Sequence, residues 1–258
     1  MKAPLKLPTL LLLLLCPAAA MAQTTHMMMP EGSKDIYLSV GATYGPRTEG
    51  SAKNALAGGP LISVQFANGV FINMNQLGMH MSRKLNMSYG PLLTPSFSRV
   101  SVPTAEGSES KRRFTPELGG FFNYHVAHGL SLSSNLMYGG SFDRRGLRMN
   151  LGVHSYWPLA AHHSVGASAY VSLANRSALE ANYAVTPQQA ALSGLPEHEV
   201  GGGIRKTSIS ASWRWEMSTK YSLSTQLGRE QLHGSAAASP RMERDSAVRL
   251  STLLTYHW

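Results

Sequence analysis

Cysteine is nearly missing from this sequence. Its single example, Cys16, lies within the first two dozen residues, so the remainder holds no disulfide framework, no thiolate metal site and no cysteine nucleophile. Aspartate is scarce as well. Only Asp35, Asp143 and Asp245 occur, each at the end of a strand pattern, which speaks against a protease barrel of the omptin type, where clustered aspartates work with a histidine. Beyond residue 22 no run of 18 apolar residues is found, so no membrane-crossing helix is expected. Helical periodicity is weak throughout, which disfavours an α/β enzyme.

What is present begins with residues 1–22, which read as a secretory signal peptide. Lys2 and Lys6 form its basic end, Leu10 to Leu15 its apolar core, and Ala20-Met21-Ala22 a small-residue cleavage site. Cys16 is flanked by Leu15 and Pro17, where a lipobox would need different neighbours. Residues 23–33 have no strand pattern and read as a periplasmic lead-in, leaving 34–258 as a single β-domain. Charged residues make up only 14% of the chain, with a balance of +9. For an exported protein that excess points to acidic envelope polymers such as lipopolysaccharide. No nucleic-acid partner is expected.

The final stretch carries the strongest signal. Val248, Leu250, Thr252, Leu254, Tyr256 and Trp258 fall on one face, against Arg249, Ser251, Thr255 and His257 on the other. Such alternation places one face against an apolar medium and the other against water. The terminal Tyr256 and Trp258 look like the signal by which outer-membrane barrels are handed to the barrel-assembly machinery. The same alternation recurs upstream, clearest over Thr207, Ile209, Ala211, Trp213, Trp215 and Met217.

The expected fold is all-β, a transmembrane antiparallel outer-membrane β-barrel of ten strands, located in the bacterial outer membrane. Twelve strands is the alternative. Two places decide between them. Ala67-Asn68-Gly69 is read as interior to one long strand, because the apolar face keeps its parity from Ile62 to Met74, although Asn-Gly is also a hairpin signal. Odd positions then stay mostly apolar from Leu77 to Phe97, a run longer than one crossing requires, so the chain either projects or folds back near Arg83-Lys84. Short turns at 127–129, 158–162 and 218–219 are expected on the periplasmic side. The polar segments 46–59, 101–113, 174–201 and 234–243 are expected outside.

Three segments and the chain end resemble motifs of the MltA-interacting protein family, MipA/OmpV. These are Tyr44 to Ser51, with Arg47, Gly50 and Ser51; Tyr183 to Leu195, with Val185, Thr186, Gln189, Ser193 and Gly194; and Leu232 to Pro240, with Gly234 and Ser239. Ser235 stands where the family has aspartate, and Thr48 where it has tyrosine. The resemblance implies a non-enzymatic outer-membrane scaffold linked to murein synthesis, with a lytic transglycosylase and a bifunctional penicillin-binding protein as partners. The alternatives are a small-solute pore or a surface adhesin, and beyond those a lipid-hydrolysing barrel.

No catalytic, cofactor or metal residue is expected. A lipase would need serine and histidine in register on one strand face, for which His154 with Ser133 or Ser168 is the available pairing. The competing reading makes His125, His154 and Tyr170 members of a lumen hydrogen-bond network. His162 and His163 are adjacent, and neighbours on a strand point to opposite faces. Met74, Met79, Met81 and Met87 share the apolar face and read as packing rather than copper ligands. Lys111-Arg112-Arg113 and Arg144-Arg145 are candidate loop-tip contacts to lipopolysaccharide phosphates. Gly201-Gly202-Gly203 lacks a phosphate-loop context.

Overall fold

The computed structural model of the chain describes residues 29–73, 76–104, 107–139 and 146–258, with the backbone alone over 95–104 and 107–115. The signal segment, the first residues of the lead-in, Met74, Asp143 and Arg144-Arg145 lie outside the described residues. Twelve antiparallel strands close into one barrel. They are β1 (Lys34–Pro46), β2 (Asn54–Phe66), β3 (Val70–Asn73), β4 (Gln76–Met79), β5 (Met87–Thr104), β6 (Gly107–Ala127), β7 (Leu130–Gly139), β8 (Gly146–Ala160), β9 (His163–Ala174), β10 (Gly203–Glu216), β11 (Tyr221–Leu232) and β12 (Ser246–His257). Closure is made by β1, which pairs with β2 and, from Tyr37↔His257 to Tyr44↔Leu250, with β12. Among the described residues no helix is long and apolar enough to cross a membrane.

Alternation sorts the wall into two faces. Val40, Ile62, Leu118, Ile209, Leu227 and Val248 point outward and are each more than half exposed, as expected where lipid replaces water. Many inward positions are small or polar and bond across strands, while Phe71 and Phe121 pack edge-on among them. Ser39 meets Thr255 at 2.8 Å, Thr43 meets Ser251 at 2.9 Å and Ser168 meets Ser210 at 2.7 Å. Both termini of the barrel domain lie at the end bearing the tight turns, where Trp258 exchanges backbone hydrogen bonds with Ile36. That end also gathers outward aromatics, with Tyr221 against Tyr256 and His163 stacked on Trp213 and Trp215. We call it the turn end and the opposite one the loop end.

The count of twelve corrects the favoured ten, and both doubtful places fold back. Ala67-Asn68-Gly69 is a turn in which Gly69 takes φ +88°, its N–H bonds the Phe66 carbonyl, and Asn68 Oδ1 accepts from Val70 N. β2 and β3 pair Val64 with Ile72 and Gln65 with Phe71, so even residues face even residues and the apolar parity survives the turn. The same holds for Leu77↔Leu93 across β4 and β5, which the residues 80–86 separate. Two further corrections concern loops. The first loop ends at Lys53 rather than Gly59, since β2 starts at Asn54. Residues 101–113 lie mostly in the β5–β6 hairpin, which pairs up to Thr104↔Gly107 and places Lys111, Arg112 and Arg113 within β6. Polarity there reflects emergence from the apolar band, because strands of 18 and 21 residues outreach the ~9–11 residues that a crossing needs.

The longest connection, between β9 and β10, contains α1 (Arg176–Tyr183) and α2 (Pro187–Ser193), and the β11–β12 connection contains the single turn α3 (Gly234–Ala237).

Candidate functional site

A packed cap covers the rim of the loop end from β8 round to β2. Its foundation is Asn175, which starts α1. Its Oδ1 accepts from Ala178 N within the helix and from Leu147 N at the top of β8, each at 3.0 Å, so one side chain caps the helix and moors it to the barrel. The helix lies close to the wall because Gly146 has no Cβ. One built there would sit 2.5 Å from the Ala178 backbone. Leu179 and Tyr183, four residues apart and so on one helical face, are 2% and 1% exposed. They pack with Ala174, Val200, Leu232 and Ala236 into the one hydrophobic core cluster found among the described residues.

The rim of this cluster is charged. Tyr183 donates its hydroxyl proton to Glu49 Oε2 at 2.8 Å, and Arg205 bonds the same oxygen at 3.2 Å. Lys206 reaches Glu49 at 3.6 Å and Glu230 at 3.3 Å, and Arg249 meets Glu230 at 3.7 Å. Successive strand residues normally point to opposite faces. Here the register of β10 on β9 slips between Ile204 and Lys206, and this bulge turns both cations toward Glu49. Burial, then the Glu49 carboxylate, pushes the Tyr183 phenol above its ordinary range, so it stays a donor.

The motif residues converge on this cap. Gly50, at φ +77°, accepts from Glu243 N and Arg244 N through its carbonyl, and Met242 covers the space where its Cβ would be. Arg47 N bonds the Lys53 carbonyl, and Ser51 Oγ lies 3.5 Å from the Glu243 carboxylate. Val185 bridges to His198. Thr186 and Gln189 form a reciprocal capping box at the start of α2, and Gly194 at φ +71° ends that helix. Ser193 Oγ donates to the Gln189 carbonyl and accepts from Leu195 N. Gly234 opens α3 at φ +54°, and Pro240 follows it after Ser239. Ser239, 2% exposed, donates to the Tyr183 carbonyl at 2.6 Å. Ser235 exchanges hydrogen bonds with Gly201 at the lead into β10. Thus Gly50, Tyr183 and Ser239 are brought together, whereas Arg47, Ser193, Gly194 and Leu195 shape the flanking turns. Tyr256 and Trp258 stand apart at the turn end.

Sequence reading missed Glu49, Arg205, Lys206 and Glu230. Their available signal was the pair Arg205-Lys206, two consecutive cations opening an otherwise alternating strand.

The lumen holds the other candidate group. Ser133 Oγ lies 2.9 Å from His154 Nε2, and Tyr170 Oη lies 3.3 Å from Nδ1. Ser168 is engaged with Ser210 instead, and His125 sits at the far end of β6 opposite Ser131. The residue behind His154 is therefore a phenol, where a hydrolase would use an acid, and the trio faces away from lipid. His162 occupies the β8–β9 turn at φ +66°, while His163 joins the tryptophan stack. Met79 and Met81 lie outward, 40% and 57% exposed, and Met87 shares their face. Elsewhere the wall bounds a chamber of about 750 Å³ lined by Gly41, Gly59, Gly166, Ser212, Ser224 and Ser251.

A closed antiparallel wall, apolar outside and polar inside, with aromatics gathered at one rim, defines an outer-membrane β-barrel. Among solved structures, the NanC porin matches at 11% identity with a TM-score of 0.50, covering 85% of this chain and 98% of that one. A bacterial polysaccharide outer membrane secretin matches at 9% identity and TM-score 0.47, over 86% and 98% of the two chains. OmpT, an outer membrane protein of Vibrio cholerae, matches at 7% identity and TM-score 0.42, over 89% and 98%. No curated protein sequence matches. The family described as MltA-interacting protein MipA matches over residues 38–258. The chain belongs to that family, and its place is the bacterial outer membrane.

Proposed function

We propose that this protein is a non-enzymatic docking barrel that tethers a murein-cleaving lytic transglycosylase, and with it a bifunctional penicillin-binding protein, to the outer membrane. The observation that carries this reading is how the motif residues are used. Gly50, Tyr183, Thr186, Gln189 and Ser239 all act in building a fixed cap, and none of them is a nucleophile set against a base. The family description supplies the class of the partner. Both ends of the barrel domain lie at the turn end, the periplasmic side in bacterial barrels of this kind, so that end and the lead-in 23–33 meet the murein layer. Tyr256 and Trp258 serve delivery to the assembly machinery.

The test is in-cell photocrosslinking from Lys220, in the β10–β11 turn, and from Leu192, which is 87% exposed on the cap. A lytic transglycosylase captured from Lys220 and not from Leu192 is the expected result. Absence of any wall enzyme across all turn-end positions overturns the reading. The chamber lined by Gly41, Gly166 and Ser212 favours one second reading, passage of small solutes. Single-channel steps in planar bilayers that grow in Tyr183→Ala would establish it, and silent traces from folded protein would dismiss it.

A further inference from the structure

The outer wall carries one charge that its surroundings do not explain. Register places Arg229 outward, between Ile209 of β10 and Val248 of β12. Among the described outward side chains of the strands, Arg229 and Lys34 are the sole members of the Lys, Arg, Asp and Glu set, and Lys34 is at the turn-end edge of β1. Arg229 is exposed and forms no hydrogen bond or ion pair with any described residue. It stands eight residues beyond Tyr221 in β11. At about 3.4 Å per residue and a tilt of about 40°, that is roughly 20 Å along the axis from the aromatic rim, just inside an apolar band about 25 Å tall.

Two further features meet at this position. The next outward row toward the loop end is polar, with Thr207 paired to Gln231 and Gln231 to Ser246. Toward the turn end lies a trough of about 1110 Å³ on the wall of β8 to β11. Its floor is small, formed by Ser155, Ala167, Ala169 and Ala211, and Arg229 is part of its lining. Ser155 pairs with Ala167 and Ala167 with Ala211, so the floor follows the hydrogen-bonded row and runs obliquely down the wall. An oblique apolar trough beneath a lone cation and a row of neutral polar groups has the layout of a phosphorylated acyl lipid.

We propose that Arg229 and this trough form a specific lipid site, taking the lipid A portion of lipopolysaccharide, with a phosphate on the guanidinium and an acyl chain over Ala167 and Ala211. The charge needs a counterion at the depth where lipid phosphates lie, and guanidinium pairs with phosphate through two donors at once. The loop end faces outward when the tight turns face the periplasm, which selects the lipid of the outer leaflet. The site is independent of any murein enzyme.

The barrel purified from outer membranes in mild detergent is weighed intact by native mass spectrometry, and delipidated barrel is titrated with purified lipid A. Wild type retains one lipid A. Arg229→Leu and Ala211→Phe each weaken binding about tenfold or more, while Arg229→Lys keeps a larger share as a point charge. Both altered residues face lipid, and migration of unheated samples in detergent gels verifies that each variant is folded. Equal retention by wild type and Arg229→Leu overturns the site. So does retention of glycerophospholipid alone, or a wild-type dimer that Ala211→Phe separates, which would make the trough a contact between copies.

Discussion

The two ends of the barrel are held by different means. At the turn end, most adjacent strands are joined by tight turns, and aromatic contacts recur along the rim: Tyr221 on Tyr256, His163 on Trp213 and Trp215. Each member has neighbours of the same kind. At the loop end, by contrast, single polar groups join segments far apart in the chain, as Tyr183 does with Glu49 and Ser239 does with Tyr183. Redundant apolar contacts share a loss, whereas a buried donor deprived of its acceptor leaves a desolvated group unpaired. The loop end should therefore be the more sensitive to single substitutions, with its effects confined to the cap.

The largest effect is expected from Tyr183→Ala, which removes a fully buried ring together with its hydroxyl. A cost of about 3–5 kcal/mol exceeds what a local cap can absorb. Protease cleavage within 175–202 should become rapid while the barrel remains resistant to detergent. Glu49→Gln comes next, at about 1–3 kcal/mol, because it leaves Arg205 and Lys206 without their shared anion. The double variant Glu49→Gln with Arg205→Gln should recover part of the loss in hydrogen exchange of α1. Thr186→Ala should cost about 1 kcal/mol and act only on α2, read as faster exchange of Gln189 N. Smallest is Trp215→Leu at the turn end, about 1 kcal/mol or less, since Trp213 still stacks on His163. A large loss of thermal resistance in that variant would erase the contrast between the ends.

The contrast can be sharpened with pH. The phenol of Tyr183 is raised in the folded cap, whereas in the open cap it ionises near the ordinary value of about 10. The folded form thus holds the proton more tightly, so its contribution is complete below about pH 10 and declines as pH rises beyond it. Cap exchange should accelerate above about pH 10 in wild type, and less steeply in Tyr183→Phe.

Most of the wall was legible because β6 to β12 alternate cleanly and are bounded by recognisable turns. The two missed hairpins have one physical origin. In a hairpin whose paired positions sum to an even number, as with Val64↔Ile72 and Leu77↔Leu93, the apolar face keeps its parity on the way back. Periodicity alone does not register such a turn. Where the sum is odd, as with Val70↔Met79, parity switches, and the switch marked the change from Ile72 to Leu77. At Asn68-Gly69 the local turn chemistry outweighed the pattern. The three motif segments were visible as segments, but their meeting at Tyr183 was not, since nothing in local composition reports a contact across 134 positions. Arg229 was silent for a similar reason: as one cation in an apolar series it becomes distinctive only when its face is known.

The cap also has a place in time. Tyr183 must find Glu49, and the Gly50 carbonyl must find Glu243 and Arg244, near the other end of the chain. Contacts of such sequence separation form only after the intervening loop has been closed, and here closing it requires β12 to pair with β1. The cap is thus a late event, and its resistance to protease is a clock mark for completed barrel closure during assembly.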